Sequence, residues 1–413
     1  MDTTDQVIIN EYSDKLNRIL KENSRLPELG YFLGITCKHL SDIGSVNPAV
    51  AILGTNIPEE LIFAAGAAPY WITGGSHASA VWSDELVPRD TDPVSRSLLG
   101  FIHQPGADFS DTLFIVPLTG DSMRKIAYEL RSEGRKLCLV DIPPERSASA
   151  AVKVQEQLLA MTAAVSKHTG VRVTKRTVIS AERTVSRART ALRRFNDISR
   201  ERSDLITDTA RLLVRDSYYM SDSIGEWTFR LELLTRKIKE LSGRTADRSS
   251  ARPKVLLMGS PVIFPNYKVP FLIGDTGLSV LETVDSAALK NFILCGKKKQ
   301  RGNRNSVIRC IASDWQGYDA SASYVKNDAL YNYVSWLTEK GGIEGVVYHV
   351  LKGQIEYDFE LERFEMLFAS CGIPLFRLET DYQYQDIEQL RIRMEAFSEM
   401  LAHNRLREVK KAL

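Results

Sequence analysis

Thr112-Leu-Phe-Ile-Val-Pro117 is an uninterrupted apolar run closed by Leu118-Thr-Gly120, and together with its flanks it decides the fold. Asp121 is placed to cap a helix. Beyond it, Ser122 to Ser132 carries Met123, Ile126, Ala127 and Leu130 at helical spacing. Lys136-Leu-Cys-Leu-Val140 is a second apolar run, stopped by Pro143-Pro144. Continuous apolar strands around an amphipathic helix predict a parallel sheet covered on both faces, since a solvated face would show alternation. Upstream, Val50-Ala-Ile-Leu53 reads as a strand and Gly54-Thr-Asn-Ile-Pro58 as a turn. Pro58 is placed to start a helix from Glu59 to Ala65.

The same alternation returns late in the chain. Val255-Leu-Leu-Met258, Leu278 to Val284, Gly345-Val-Val-Tyr-His-Val350 and Ile373-Pro-Leu-Phe-Arg-Leu378 read as strands. Helices are expected around Pro270 to Thr276, Tyr331 to Glu339, Tyr357 to Phe368 and Ile387 to Leu401. Between the two regions the strand signal vanishes. Ala181, Val185, Ala188, Leu192, Phe195 and Ile198 form one helical stripe, with Arg183, Arg187, Arg193, Arg194 and Arg200 opposite. The expected division is an N-terminal helical segment (1–47), a first α/β lobe (48–146), a helical segment and linker (147–252) and a second α/β lobe (253–413). Two lobes imply a cleft, and ligands favour clefts at the C-terminal ends of parallel strands.

Composition narrows the function. The chain has 413 residues, 54 Lys+Arg and 52 Asp+Glu, for a net charge of +2. Near-neutrality argues against a dedicated nucleic-acid binder and a polybasic membrane anchor. No apolar run is long enough to span a bilayer, and the acidic start lacks the features of a signal peptide. A cytoplasmic location is therefore the default expectation. Five scattered cysteines (Cys37, Cys138, Cys295, Cys310 and Cys371), without a C-x-x-C pair, argue against disulfides and a local zinc site. Phosphate-loop, dinucleotide-fingerprint, H-E-x-x-H and G-x-S-x-G motifs are absent.

Six strings, in order, resemble one family. Gly54-Thr-Asn-Ile-Pro-Glu-Glu-Leu-Ile-Phe-Ala-Ala-Gly66 looks like the "PEE-hh-AAG" signature of the 2-hydroxyacyl-CoA dehydratase and benzoyl-CoA reductase superfamily. Asp92-Pro-Val-Ser-Arg-Ser97, Val116 to Lys125 and Gly345 to Gln354 resemble its "CSxxRS", "TCD" and "KFC" segments. Gly372 to Asp381 and Gln389 to Phe397 resemble its C-terminal strings. The resemblance implies two flavodoxin- or Rossmann-like lobes with helical additions. It also implies a heterodimer of related subunits, an ATP-hydrolysing iron–sulfur activator, and a [4Fe-4S] cluster that passes one electron to a CoA thioester to give a ketyl radical.

The sequence departs from the family at the cluster ligands. The resemblance places cysteines where this chain has Asp92, Gly120 and Gly353. The expectation is therefore that this chain binds no metal and that a homologous partner subunit carries the [4Fe-4S] cluster. Two other readings stay open: a cluster held by unusual ligands, and a non-enzymatic two-lobe binding or assembly protein.

The candidate cleft residues are Glu59, Asp92, Arg96, Asp121 and Gln354. Glu59 opens a helix, where acids suit the dipole, and could instead move protons in the cleft. Asp92 could be a solvated loop acid or a cleft residue paired with Arg96. Gly120 and Asp121 present a helix N-terminus suited to a thioester oxygen or phosphate. Gln354 could hydrogen-bond a substrate carbonyl. Lys297, Lys298, Lys299 and Arg301 form a basic loop that could contact CoA phosphates or the activator, or simply be solvated.

Overall fold

The structure is a computed structural model that describes residues 3–41, 47–242, 252–288, 302–318 and 320–412. Eight strands form two four-stranded parallel sheets. The first contains β1 (Val50–Leu53), β2 (Pro69–Ile72), β3 (Leu113–Leu118) and β4 (Lys136–Asp141), in the order β2-β1-β3-β4. The second contains β5 (Lys254–Gly259), β6 (Ser279–Val284), β7 (Gly345–Leu351) and β8 (Leu375–Thr380), in the equivalent order β6-β5-β7-β8. Both orders are the flavodoxin-type 2-1-3-4, so the fold is α/β with two lobes.

Alternation along each strand sends side chains to opposite faces and builds three apolar clusters. Ala51, Leu53, Phe114 and Val116 pack under the helices α5 (Pro93–His103) and α6 (Asp121–Ser132), on the outer face of the first sheet. Leu256, Met258, Val346 and Tyr348 pack under α13 (Asp328–Lys340) and α14 (Glu356–Ser370), on the outer face of the second. The other faces contribute Val50, Ile52 and Ile115 from one sheet and Val255, Leu257 and Val347 from the other to a single central core. That core also takes residues from α1 (Thr3–Glu22), α2 (Leu29–Ser41), α8 (Lys175–Glu201), α9 (Asp208–Asp216) and α10 (Ile224–Ser242). The short helices α3 (Glu60–Ala64) and α4 (His77–Ala80), with α7 (Ala148–Thr169), α11 (Lys268–Asp275), α12 (Arg304–Tyr318) and the terminal α15 (Ile387–Ala412), complete the order of α-helices along the described chain. Because both lobes share this core, the central helices fix the cleft between them.

The central helices carry buried ion clusters as well. Arg215 of α9 meets Asp216 at 2.7 Å and Asp285 at 3.3 Å. Asp216 accepts from Phe264 N (3.1 Å) and the Tyr267 hydroxyl (2.7 Å), which pins the loop after β5. Burial pushes the Asp216 carboxyl up, against the pull of Arg215. Two arginines opposite the α8 stripe have partners within the chain: Arg187 pairs with Glu232 at 2.9 Å and Arg200 with Glu282 at 2.6 Å.

Three elements differ from the sequence reading. β2 lies inside the apolar stretch Leu61 to Ile72, where the sequence reading names no strand; it begins at Pro69, after a turn at Gly66 (φ +79°). Helix α12 (Arg304–Tyr318), absent from the sequence reading, buries the helical stripe Val307, Ile308, Ile311, Ala312 and Trp315 in the central core. Asp121 does not cap α6: Gly120 holds that position in an extended conformation, and Asp121 is the exposed first helical residue. Among the described residues, no helix is long and apolar enough to cross a membrane.

Candidate functional site

A cleft of about 450 Å³ lies between the lobes. Its walls are the segments that leave the strand C-terminal ends: Gly54-Thr-Asn56 after β1, Thr73 after β2, and Thr119, Gly120 and Asp121 after β3. The second lobe contributes Pro261 and Ile263 after β5, Ser286 after β6, and Gly353 and Gln354 after β7. In each sheet the chain leaves opposite sides at the β1/β3 or β5/β7 switch point, which opens a crevice there. Here the two crevices face one another. A larger pocket of about 710 Å³ adjoins this cleft, but only second-lobe residues, from Ala322 to Phe364, line it.

Both lobes hold the cleft in place. The Ser323 hydroxyl donates to Thr119 O at 2.6 Å, and Val325 N donates to Pro144 O at 3.0 Å. On the opposite side the turn after β2 reaches the loop after β5. Gly75 has φ +93°, and a Cβ there would lie 2.9 Å from Ile263 O. Only glycine combines that left-handed backbone with so close an approach.

Asp92 lies in the cleft, 7% exposed. It caps α5: Oδ1 accepts from Ser95 N at 3.0 Å, with Pro93 opening the helix. Its other oxygen, Oδ2, is buried with no hydrogen-bond donor. Gln354 also lines the cleft, and its Oε1 is likewise buried without a donor. Gly353, at φ +84°, sits against Asp92: a Cβ on Gly353 would meet the Asp92 Cα and Cβ at 3.4 Å. Asp121 lines the cleft as well. Glu356, to which no sequence motif points, joins the same cleft. Partial burial holds its carboxyl above the ordinary carboxylate range, and the charge of Asp92 adds to the shift.

The other candidates lie elsewhere. Glu59 is not among the cleft residues; it is 1% exposed beneath α8, where Arg189 Nη2 meets its Oε1 at 2.8 Å. The Tyr218 hydroxyl donates to the same oxygen at 2.6 Å, and Arg189 Nη1 reaches Glu60 at 2.7 Å. Arg96 does not pair with Asp92. Its guanidinium binds the Asp84 carboxylate and the Arg89 carbonyl instead. Lys297, Lys298, Lys299 and Arg301 lie outside the described residues.

The three positions at which the family resemblance implies thiolates therefore share one cleft, yet the residues present do not fit an iron–sulfur cluster. Gly120 and Gly353 carry no donor atom, and such clusters need cysteine thiolates or close substitutes. Among the described residues, no cysteine lines the cleft. Cys37, Cys138, Cys310 and Cys371 are free thiols elsewhere, and burial in β4 pushes Cys138 up to about 11. Cys295 lies outside the described residues. Among the described residues, no three His, Cys, Asp or Glu side chains gather to hold a metal ion.

Comparison with known proteins places this fold. The chain is 24% identical over 368 residues to a protein assigned as a dehydratase subunit, YjiM of Escherichia coli strain K12, covering 86% of this chain and 91% of that one. It is 21% identical over 372 residues to the (R)-phenyllactyl-CoA dehydratase beta subunit of Clostridium sporogenes, covering 88% and 94%. The (R)-2-hydroxyglutaryl-CoA dehydratase subunit beta of Acidaminococcus fermentans is 22% identical over 369 residues, covering 86% and 92%. The 2-hydroxyglutaryl-CoA dehydratase D-component family matches residues 54–401, and this chain belongs to that family.

Proposed function

We propose that this chain is the cluster-lacking subunit of a heteromeric 2-hydroxyacyl-CoA dehydratase or benzoyl-CoA reductase-type enzyme that acts on a CoA thioester. One observation carries the reading: Asp92, Gly120 and Gly353 line one cleft, and none can supply a thiolate. Two relatives that align along most of their length are named as beta subunits of acyl-CoA dehydratases, which supports a partnered role. In this reading the [4Fe-4S] cluster sits in a homologous partner subunit, and an ATP-hydrolysing iron–sulfur activator reduces it. The one-electron, ketyl-radical chemistry then belongs to that partner. This chain supplies cavity wall, helix N-termini and carboxylates, with Asp92 and Glu356 as the groups able to hold or move a proton.

The test is co-expression of the full chain with a cysteine-bearing homologue, followed by affinity capture and size-exclusion chromatography. The expected outcome is a stable heteromer. A persistent monomer that ignores the homologue would contradict it and favour a stand-alone binding protein built on the family fold.

A further inference from the structure

The charge of the cleft identifies a ligand class. Asp92, Asp121 and Glu356 line it, and among the described residues no Lys, Arg or His does. Its formal charge is therefore three negatives with no counter-charge in the described wall. Asp121 sits on the N-terminus of α6, so its charge opposes the partial positive charge that the helix would offer an anion.

A second observation is independent of the acid count. The Asp92 side chain is more than nine-tenths buried, yet its Oδ2 has no donor, and the Gln354 Oε1 has none either. Buried acceptors ordinarily find a donor, and a charged one left without a donor is costly. Two such acceptors in one cleft point to a ligand that brings N–H or O–H groups. Tyr357 and Tyr382 in the wall add aromatic surface, which favours a cation. The cation is organic rather than a metal ion, because no three ligating side chains converge among the described residues.

We propose that the interlobe cleft binds an organic ammonium group, held by the Asp92 and Glu356 carboxylates and the Gln354 carbonyl oxygen. Phosphates and carboxylates are disfavoured there. Where the inference rests on the subunit role above, it makes the acyl end of the thioester an amine-bearing chain and not a dicarboxylate.

The experiment is a ligand-observed NMR titration of the full chain, at constant ionic strength, with n-pentylammonium chloride, sodium pentanoate, 1-pentanol and magnesium chloride. The expected result is saturable binding of pentylammonium, with weaker binding of pentanol and none of pentanoate. Asp92→Asn and Glu356→Gln should each weaken pentylammonium by about tenfold, the scale of one lost charged hydrogen bond. Asn caps a helix as well as Asp does, so the first variant keeps α5 intact. Equal binding of pentanoate, displacement of pentylammonium by magnesium, or affinity unchanged in both variants would overturn the proposal. Neither iron nor a partner enters the titration, so its failure is distinct from failure to form a heteromer.

Discussion

Arg189 holds two carboxylates from one turn, Glu59 and Glu60, and all three residues are at most 4% exposed. Removing one member of such a cluster strands the others in a dry interior. Arg189→Leu should therefore destabilise the chain by about 3–5 kcal/mol, read as a lower urea midpoint at unchanged slope. A loss below about 1 kcal/mol would show that the carboxylates are solvated or neutral. The placement of Glu59 was not legible in the sequence because its partner Arg189 lies 130 positions away, on a helix whose apolar stripe does not include it. Asp92 carried a clearer signal than a loop acid would. An Asp followed by Pro93, with Ser95 at the third helical position, is a capping signature. Arg96 was misplaced because neighbours in sequence need not pair: one turn along the helix its guanidinium reaches Asp84.

At the scale of elements, the strands β1 and β3 to β8 follow from strand-like runs that alternate with amphipathic helices. The interlobe contact does not, since it depends on a turn and a loop without periodic pattern. Gly75 is its tightest point, with the Ile263 carbonyl 2.9 Å from where a Cβ would stand. Gly75→Ala should force the turn and the loop apart and cost about 2 kcal/mol or more through both contact and backbone strain. Thermal unfolding should show a midpoint several degrees lower. An unchanged midpoint would mean that the lobes are not clamped there. The bonds from Ser323 and Val325 to the first lobe close the opposite side, so the two contacts together set the width of the cleft.

At the scale of the molecule, two sheets of equivalent strand order turn their switch points toward one cleft. The lobes were readable because strand and helix patterns are local. The cleft was readable only in part. The family resemblance singles out Asp92, Gly120 and Gly353, but their convergence depends on the central helices and the shared core. Glu356, which shifts the charge of the site, lies two residues past the family-like segment Gly345 to Gln354, so no motif points to it. The location of the iron decides whether this chain is the cluster-lacking subunit. Iron should be measured in the purified full chain alone and in its complex with a cysteine-bearing homologue, each reconstituted anaerobically under the same conditions. The predicted result is no iron in the chain alone and about four irons per cluster-bearing partner in the complex. About four irons bound stoichiometrically to the chain alone, with the charge-transfer absorption of a cluster, would contradict it.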